Sequence, residues 1–229
     1  MNPEELSRRF LLSDSALQRM KRFRRERIDE WADVNGRIAG FHTIQLLLHG
    51  LPLSAFARSE RFNLSALWEK PTHFSFLPGP PPQVNYNFQG IRAWNGDRTG
   101  PIPLQLQCFR NGCIELVDPT IDSNRPPTRV IRPGEVERRV CNYVKHMFKL
   151  WREILVQQPV FVGVSLLQAT NYSLILPRGE QSPFAHQNEE QMLCFSDVQF
   201  DDFEADIVST MRSTFDIFWQ SFGYEGFRS

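Results

Sequence analysis

The sequence predicts an α+β fold: a largely antiparallel sheet of about five strands packed by two long helices, with a basic amphipathic helix at the N-terminus. Three observations lead there. Apolar residues recur at helical intervals near the start, in the middle and at the end of the chain. Short β-patterned runs lie between those segments. An Asn-Gly pair between two such runs marks an antiparallel hairpin. The organisation that follows is a basic helical segment over residues 1–36 and an α+β domain over residues 37–229.

The first helix is expected to start near Ser13 or Ser15, either of which can cap it. Leu17, Met20, Phe23 or Arg24, Ile28 and Trp31 recur every three or four residues, and Asn35-Gly36 is the expected stop. Ile44–Leu53 is nearly continuous apolar chain closed by Pro52, the pattern of a central strand. A short helical segment near Leu64–Trp68 follows. The proline run Leu77–Pro82 then breaks regular structure, because proline has no amide donor. Tyr86–Trp94 reads as one strand. Leu104–Phe109 and Cys113–Val117 flank Arg110-Asn111-Gly112, where Asn-Gly is expected to supply the positive φ angles of a type I′ turn. Cys108 and Cys113 would then lie near one another across the hairpin, packed as thiols in a reducing compartment.

Arg125–Pro133 is a loop interrupted by prolines. From Gly134 to Gln157 a strong helix aligns Val136, Val140, Val144, Met147, Phe148, Trp151, Ile154 and Leu155 on one face. Val160–Leu176 reads as a strand pair or one long bent strand, with Gly163 at a close backbone approach, and Leu193–Phe200 adds a further strand. Asp201-Asp202 are placed to cap the last helix, whose N-terminus favours negative charge. Its stripe is Phe203, Ile207, Met211, Phe215, Phe218, Trp219 and Phe222. Helices gathered on one face of the sheet would leave the other face to water or to a partner.

Of 229 residues, 26 Lys+Arg balance 26 Asp+Glu, with 41% hydrophobic and 23% charged residues. A chain of this length buries roughly 70% of its unfolded surface, enough for a core without disulfides or metal. This excludes a disordered chain, a small disulfide scaffold and a uniformly basic nucleic-acid tail. The neutral sum conceals an asymmetry. Arg8, Arg9, Arg19, Lys21, Arg22, Arg24, Arg25 and Arg27 open the chain, and Glu189, Glu190, Asp197, Asp201, Asp202, Glu204, Asp206, Asp216 and Glu225 close it. Such ends either pack together or serve a partner. A solvated polar face is the plain reading of the first run. The alternative is phosphate contact through Arg19, Lys21, Arg22, Arg24, Arg25 and Arg27.

Cys108, Cys113, Cys141 and Cys194 and the scattered histidines show no metal-ligand spacing, so no structural zinc and no cofactor are expected. No signal peptide opens the chain and no apolar stretch approaches the ~20 residues that span a bilayer, so a cytoplasmic protein without membrane association is expected. Gly-x-Ser-x-Gly, His-Glu-x-x-His and Walker-type loops are absent from the sequence. The carboxylates Glu189, Glu190, Asp197, Asp201 and Asp202 are the candidate magnesium site for a phosphodiester reaction, provided they converge.

Glu5–Ser13, Arg22–Arg27 and Leu48–Phe56, followed by Tyr86-Asn87-Phe88-Gln89-Gly90, Phe109-Arg110-Asn111-Gly112-Cys113-Ile114-Glu115 and Val164-Ser165-Leu166-Leu167, carry a resemblance. They resemble the region that follows the Schlafen Alba-type putative DNA-binding domain in bacterial proteins. The likeness runs from about Glu5 to about Leu176 in short motifs, and the Alba-type domain itself is absent. The resemblance implies an accessory module in a DNA-associated or antiviral defence setting, and it assigns no catalytic residue.

Three functions are therefore expected in turn. The first is a non-catalytic interaction module with a protein partner that binds nucleic acid or belongs to a defence system. The second is a direct, sequence-tolerant DNA or RNA binder through the basic helix. The third is a metal-dependent nuclease using the late carboxylates.

Overall fold

The computed structural model describes residues 3–37, 43–57, 61–95, 103–121, 129–175 and 187–226. The α+β class is observed. A first helix, α1 (Pro3–Arg37), leads to strand β1 (Gln45–Pro52) and the short helices α2 (Leu53–Ala57) and α3 (Ser65–Glu69). Four strands follow: β2 (Gln83–Tyr86), β3 (Gly90–Asn95), β4 (Leu104–Phe109) and β5 (Ile114–Asp118). After β6 (Val130–Ile131) comes helix α4 (Pro133–Glu153), then β7 (Val160–Leu167), β8 (Ser173–Leu174), β9 (Met192–Cys194), β10 (Val198–Phe200) and helix α5 (Ile207–Gln220).

Among the described residues the main sheet has eight strands, more than the sequence announces, in the order β10-β7-β1-β5-β4-β3-β2, with β9 also pairing β7. Every pairing in it is antiparallel. The extra strands arise where one expected run divides. Tyr86–Trp94 is broken by a tight turn at Asn87, whose side chain accepts from Gly90 N at 2.8 Å, and Leu193–Phe200 is split into β9 and β10. β6 and β8 form a separate parallel pair. β1 is central, as its apolar run predicts, flanked by β5 and β7.

Strand alternation gives the sheet two different faces. One carries Leu46, Leu48, Leu106, Ile114, Leu116, Val162, Val164 and Leu166, packed in one cluster with Val140, Val144, Met147 and Trp151 of α4 and Met211, Phe215 and Phe218 of α5. On the other, Leu47, Leu51, Phe109, Val117, Phe161 and Leu167 are interrupted by buried Gln45, His49, Glu115 and Ser165. α1 covers that second face, with Met20 packed beside Leu51 and Phe109, and Ile28 beside Leu47 and Val117. The basic helix therefore lies across the sheet and is not placed at one end of it. The face expected to stand open is occupied here by the protein's own N-terminal helix. Cys108 joins the α4-side cluster and Cys113 the α1-side cluster, so the two thiols lie on opposite faces and both are free.

Several boundaries differ from the sequence reading for local reasons. α1 begins at Pro3, well before Ser13, and runs through Gly36 to Arg37. α4 ends at Glu153 because Leu155 takes the left-handed conformation (φ 59°). Val156 N then bonds Trp151 O at 2.9 Å and Leu155 N bonds Arg152 O at 3.2 Å, a Schellman closure without glycine that leaves Leu155 81% exposed. The β4–β5 turn has three residues, and of these Gly112 alone has positive φ (85°). Its amide bonds Phe109 O at 2.9 Å, making a type I turn with a bulge in place of type I′. The cap of α5 is Asp206, which accepts from Val208 N at 3.1 Å and Ser209 N at 3.4 Å, while Asp201 and Asp202 bond upstream of the helix. Of the expected loop Arg125–Pro133, residues 125–128 lie outside the described residues, and the rest is not all loop: Val130–Ile131 is strand β6 and Pro133 opens α4. No described helix is long and apolar enough to cross a membrane.

α4 is seated on the sheet through Trp151, whose indole N–H donates to Gly112 O at 2.8 Å and whose ring lies on Gly50. A Cβ at Gly50 would sit 2.6 Å from Trp151 Cζ2 and 3.1 Å from Met147 Sδ. Gly50→Ala is therefore expected to destabilise the fold by roughly 1–3 kcal/mol through overpacking. Urea denaturation monitored by tryptophan fluorescence measures it; an unchanged midpoint would contradict the seating.

Candidate functional site

The charged residues of α1 divide by helical phase. Positions 20, 24, 27, 28 and 31 turn towards the sheet, and 19, 21, 22 and 25 turn outward. Two of the arginines of the basic run are thus inside. Arg27 Nε and one terminal nitrogen grip Glu115 Oε2 and Oε1, each at 2.7 Å. The Trp31 indole N–H donates to Glu115 Oε1 at 2.9 Å, and His49 Nε2 lies 3.2 Å from Oε2. One turn earlier, Arg24 donates to Asp197 Oδ1 at 2.7 Å, to Val164 O at 2.9 Å and to Ser165 Oγ at 3.1 Å. Gly163 makes this possible: a Cβ there would fall 2.4 Å from Arg24 Nε and 2.7 Å from Asp197 Oδ1. The close approach expected at Gly163 is thus made by an arginine side chain.

Burial alone would push the Glu115 carboxyl up, but hydrogen bonds and charge from Arg27, together with the contact to His49, hold it at about 2. His49 is wholly buried, and the cost of desolvating its charged form lowers its pKa below 6.5 against the pull of Glu115. Its Nδ1 has no hydrogen-bond partner among the described residues. With His49 fully buried and Glu115 3% exposed, no substrate reaches this pair while α1 is docked. The arrangement is chemically a charge clamp that holds α1 on a polar strip of the sheet.

Arg19, Lys21, Arg22 and Arg25 are exposed. Arg19 donates to the Phe56 carbonyl, while Lys21, Arg22 and Arg25 have no ion pair among the described residues. Of the six residues singled out for phosphate contact, these four face outward and Arg24 and Arg27 are engaged with carboxylates. Beside the helix runs a groove of about 700 Å³, floored by Met20, Ile28 and Phe161 and rimmed by Lys21, Arg25 and the exposed thiol of Cys194.

The late carboxylates do not converge. Asp197 is taken by Arg24, Asp201 accepts from Gln199 at 2.7 Å, Asp202 accepts from Glu204 N at 2.9 Å, and Glu189 and Glu190 are exposed. Among the described residues no group of three or more His, Cys, Asp or Glu side chains could hold a metal ion. Sequence reasoning missed Glu115 and His49 as partners of the basic helix. The available signal was a charged and an ionisable residue inside two otherwise apolar, central strand runs. Comparison with family models, with curated proteins and with solved structures finds no match to the chain.

Glu115→Gln leaves the half-buried Arg27 guanidinium with the exposed Glu30 as its one remaining carboxylate partner among the described residues. The expected loss is about 3–5 kcal/mol, read by chemical denaturation, because one partner of a buried pair has been removed. The histidine adds a pH dependence. A folded-state pKa below the unfolded value means that the unfolded chain binds the extra proton first, so stability falls as pH drops below about 6.5, by up to ~1.4 kcal/mol per pH unit for each such histidine. His146, stacked on Phe76 and held at about 4 by burial and its lysine neighbours, acts in the same sense. The Glu115 contribution is fully present above about 4.5 and is lost as pH falls through about 2. Stability measured from pH 7.5 to pH 5 should decline, and a flat profile would exclude a buried neutral His49.

Proposed function

We propose that this chain is a non-catalytic interaction module for a nucleic-acid-associated process, and that the outward face of α1 is the surface it uses. The observation that carries this reading is the division of the arginines. Arg24 and Arg27 have carboxylate partners inside, whereas Lys21, Arg22 and Arg25 stand exposed with no ion pair among the described residues. Arg19 extends the same face. The clamp fixes these cations on one rigid element, so they meet an anionic partner without a large ordering cost. The groove beneath Lys21 and Arg25 adds apolar area to the contact. The resemblance to the region that follows the Schlafen Alba-type domain supports the same setting, a module acting beside a nucleic-acid-binding or defence partner in the bacterial cytoplasm.

The direct binding of DNA or RNA by this face is the second reading, favoured by the clustering of four cations over two helical turns. One variant, Lys21→Gln/Arg22→Gln/Arg25→Gln, tests both. Its fold should be unaffected, since the three side chains are exposed. It is expected to lose the partner that copurifies with the wild-type chain. If the contact is duplex phosphate, the salt slope of DNA retention should fall by roughly 0.9 for each contact removed. Identical copurification and identical retention by variant and wild type would overturn the assignment of this face.

A further inference from the structure

Two hairpin tips that are distant in sequence meet at one corner of the sheet. Arg110 N, in the β4–β5 turn, donates to Gln89 O of the β2–β3 turn at 2.9 Å, and Arg110 Nε donates to Phe88 O at 3.2 Å. Phe62 N closes the corner on Arg110 O at 2.7 Å. The β2–β3 turn is further pinned by Asn87, whose Nδ2 donates to Gln107 Oε1 at 2.7 Å. A Cβ at Gly90 would lie 2.0 Å from Cys108 O, so the two hairpins are pressed together there. This rigid corner holds the Phe88 ring 96% exposed, more than any other large hydrophobic side chain described.

Beside Phe88 opens a cleft of about 540 Å³ lined chiefly by Arg61, Gln89, Phe109, Arg110 and Asn111. Among the described residues no carboxylate lines it, and neither Arg61 nor Arg110 has an ion pair. Asn111 Oδ1 accepts from Cys113 N at 3.1 Å, which fixes the amide at the mouth of the cleft.

We propose that this corner binds an unpaired segment of nucleic acid, one base stacking on Phe88 and the flanking phosphates meeting Arg61 and Arg110. The chemistry of the lining carries the choice. An aromatic face beside guanidinium groups is the pairing that single strands exploit, because every base offers a π-face and every nucleotide a phosphate. Gln89 and Asn111 supply amides suited to a base edge. A duplex keeps its bases stacked, so a protruding ring reaches a base face only at an unstacking cost, which a single strand is largely spared. The cleft joins the apolar surfaces of Ala55, Phe88 and Phe109 to two guanidinium groups and two amides, a mixed lining that suits a base together with its phosphates. The proposal stays within the nucleic-acid-associated role argued above but rests on a surface that shares no residue with Lys21, Arg22 and Arg25.

The test is fluorescence anisotropy with a short labelled single strand of mixed sequence and, separately, with its duplex. Phe88→Ala is expected to keep the wild-type melting temperature and to weaken single-strand binding about ten-fold, while Phe88→Trp restores it. Arg61→Gln and Arg110→Gln should each lower the salt slope by roughly 0.7. Equal single-strand affinity for Phe88→Ala and wild type, tighter binding of the duplex than of the single strand by the Lys21→Gln/Arg22→Gln/Arg25→Gln variant, or no oligonucleotide binding by the wild type would overturn it. The variant Lys21→Gln/Arg22→Gln/Arg25→Gln separates the two surfaces. If it alone abolishes binding, the hairpin corner is refuted and the α1 reading stands. If single-strand binding depends on Phe88 and survives in that variant, the corner is supported whatever becomes of α1.

Discussion

The Arg27–Glu115 pair is the constraint on which the arrangement of the molecule turns. Glu115 sits in the middle of a central strand, where a lone carboxylate would be very costly to desolvate. Only a cation delivered from outside the sheet removes that cost, and the cation comes from α1. Trp31 and His49 complete the coordination of the carboxylate, and Arg24 repeats the device one turn earlier against Asp197 and Ser165. A buried ion pair of this sort is weak evidence for net stability but strong evidence for register. It fixes how far α1 slides and how it rotates, because a shift of one residue would break the bidentate grip.

That register decides what the outside of the protein looks like. With Arg24 and Arg27 turned inward, Arg22 and Arg25 turn outward by the helix repeat, and Lys21 stands exposed at the flank, where with Arg25 it borders the groove. The formally neutral chain therefore presents Lys21, Arg22 and Arg25 on its surface, next along the helix to exposed Glu26 and Asp29. The acidic end of the chain contributes Asp197 to the interior and Asp206 to a helix cap, which answers where part of the opposing charge has gone. The two charged ends do pack together in one respect, through Arg24 and Asp197.

The two faces of the sheet divide the work. The α4 side is an ordinary apolar core, organised around Trp151 on Gly50 and the aromatic stripe of α5. The α1 side is a mixed face, in which polar residues are satisfied from a helix and not from solvent. The hairpin tips at one end of the sheet are tied backbone to backbone, so residues there are displayed on a firm support. A ring held out in that way differs from a hydrophobic residue on a slack loop, because little conformational freedom is left to lose when a ligand arrives.

Taken by itself, the sequence determined the α+β class, the central position of β1, the core faces of α4 and α5, and the existence of the β4–β5 hairpin. Each depends on local periodicity or on a turn residue, and such signals survive without knowledge of the fold. It could not determine the C-terminal end of α4, because a leucine in the left-handed conformation carries no mark in the sequence. Nor could it tell which of the arginines on α1 are partnered. Arg24 and Arg27 look like Arg22 and Arg25 until Glu115, Asp197 and Ser165 are brought beneath them from strands far along the chain. Likewise Phe88 reads as one more strand aromatic until the turn at Asn87 swings it out to solvent. Local pattern fixes what an element is; which side of it meets a counter-charge is a property of contacts between residues distant in sequence, and only the tertiary structure supplies those.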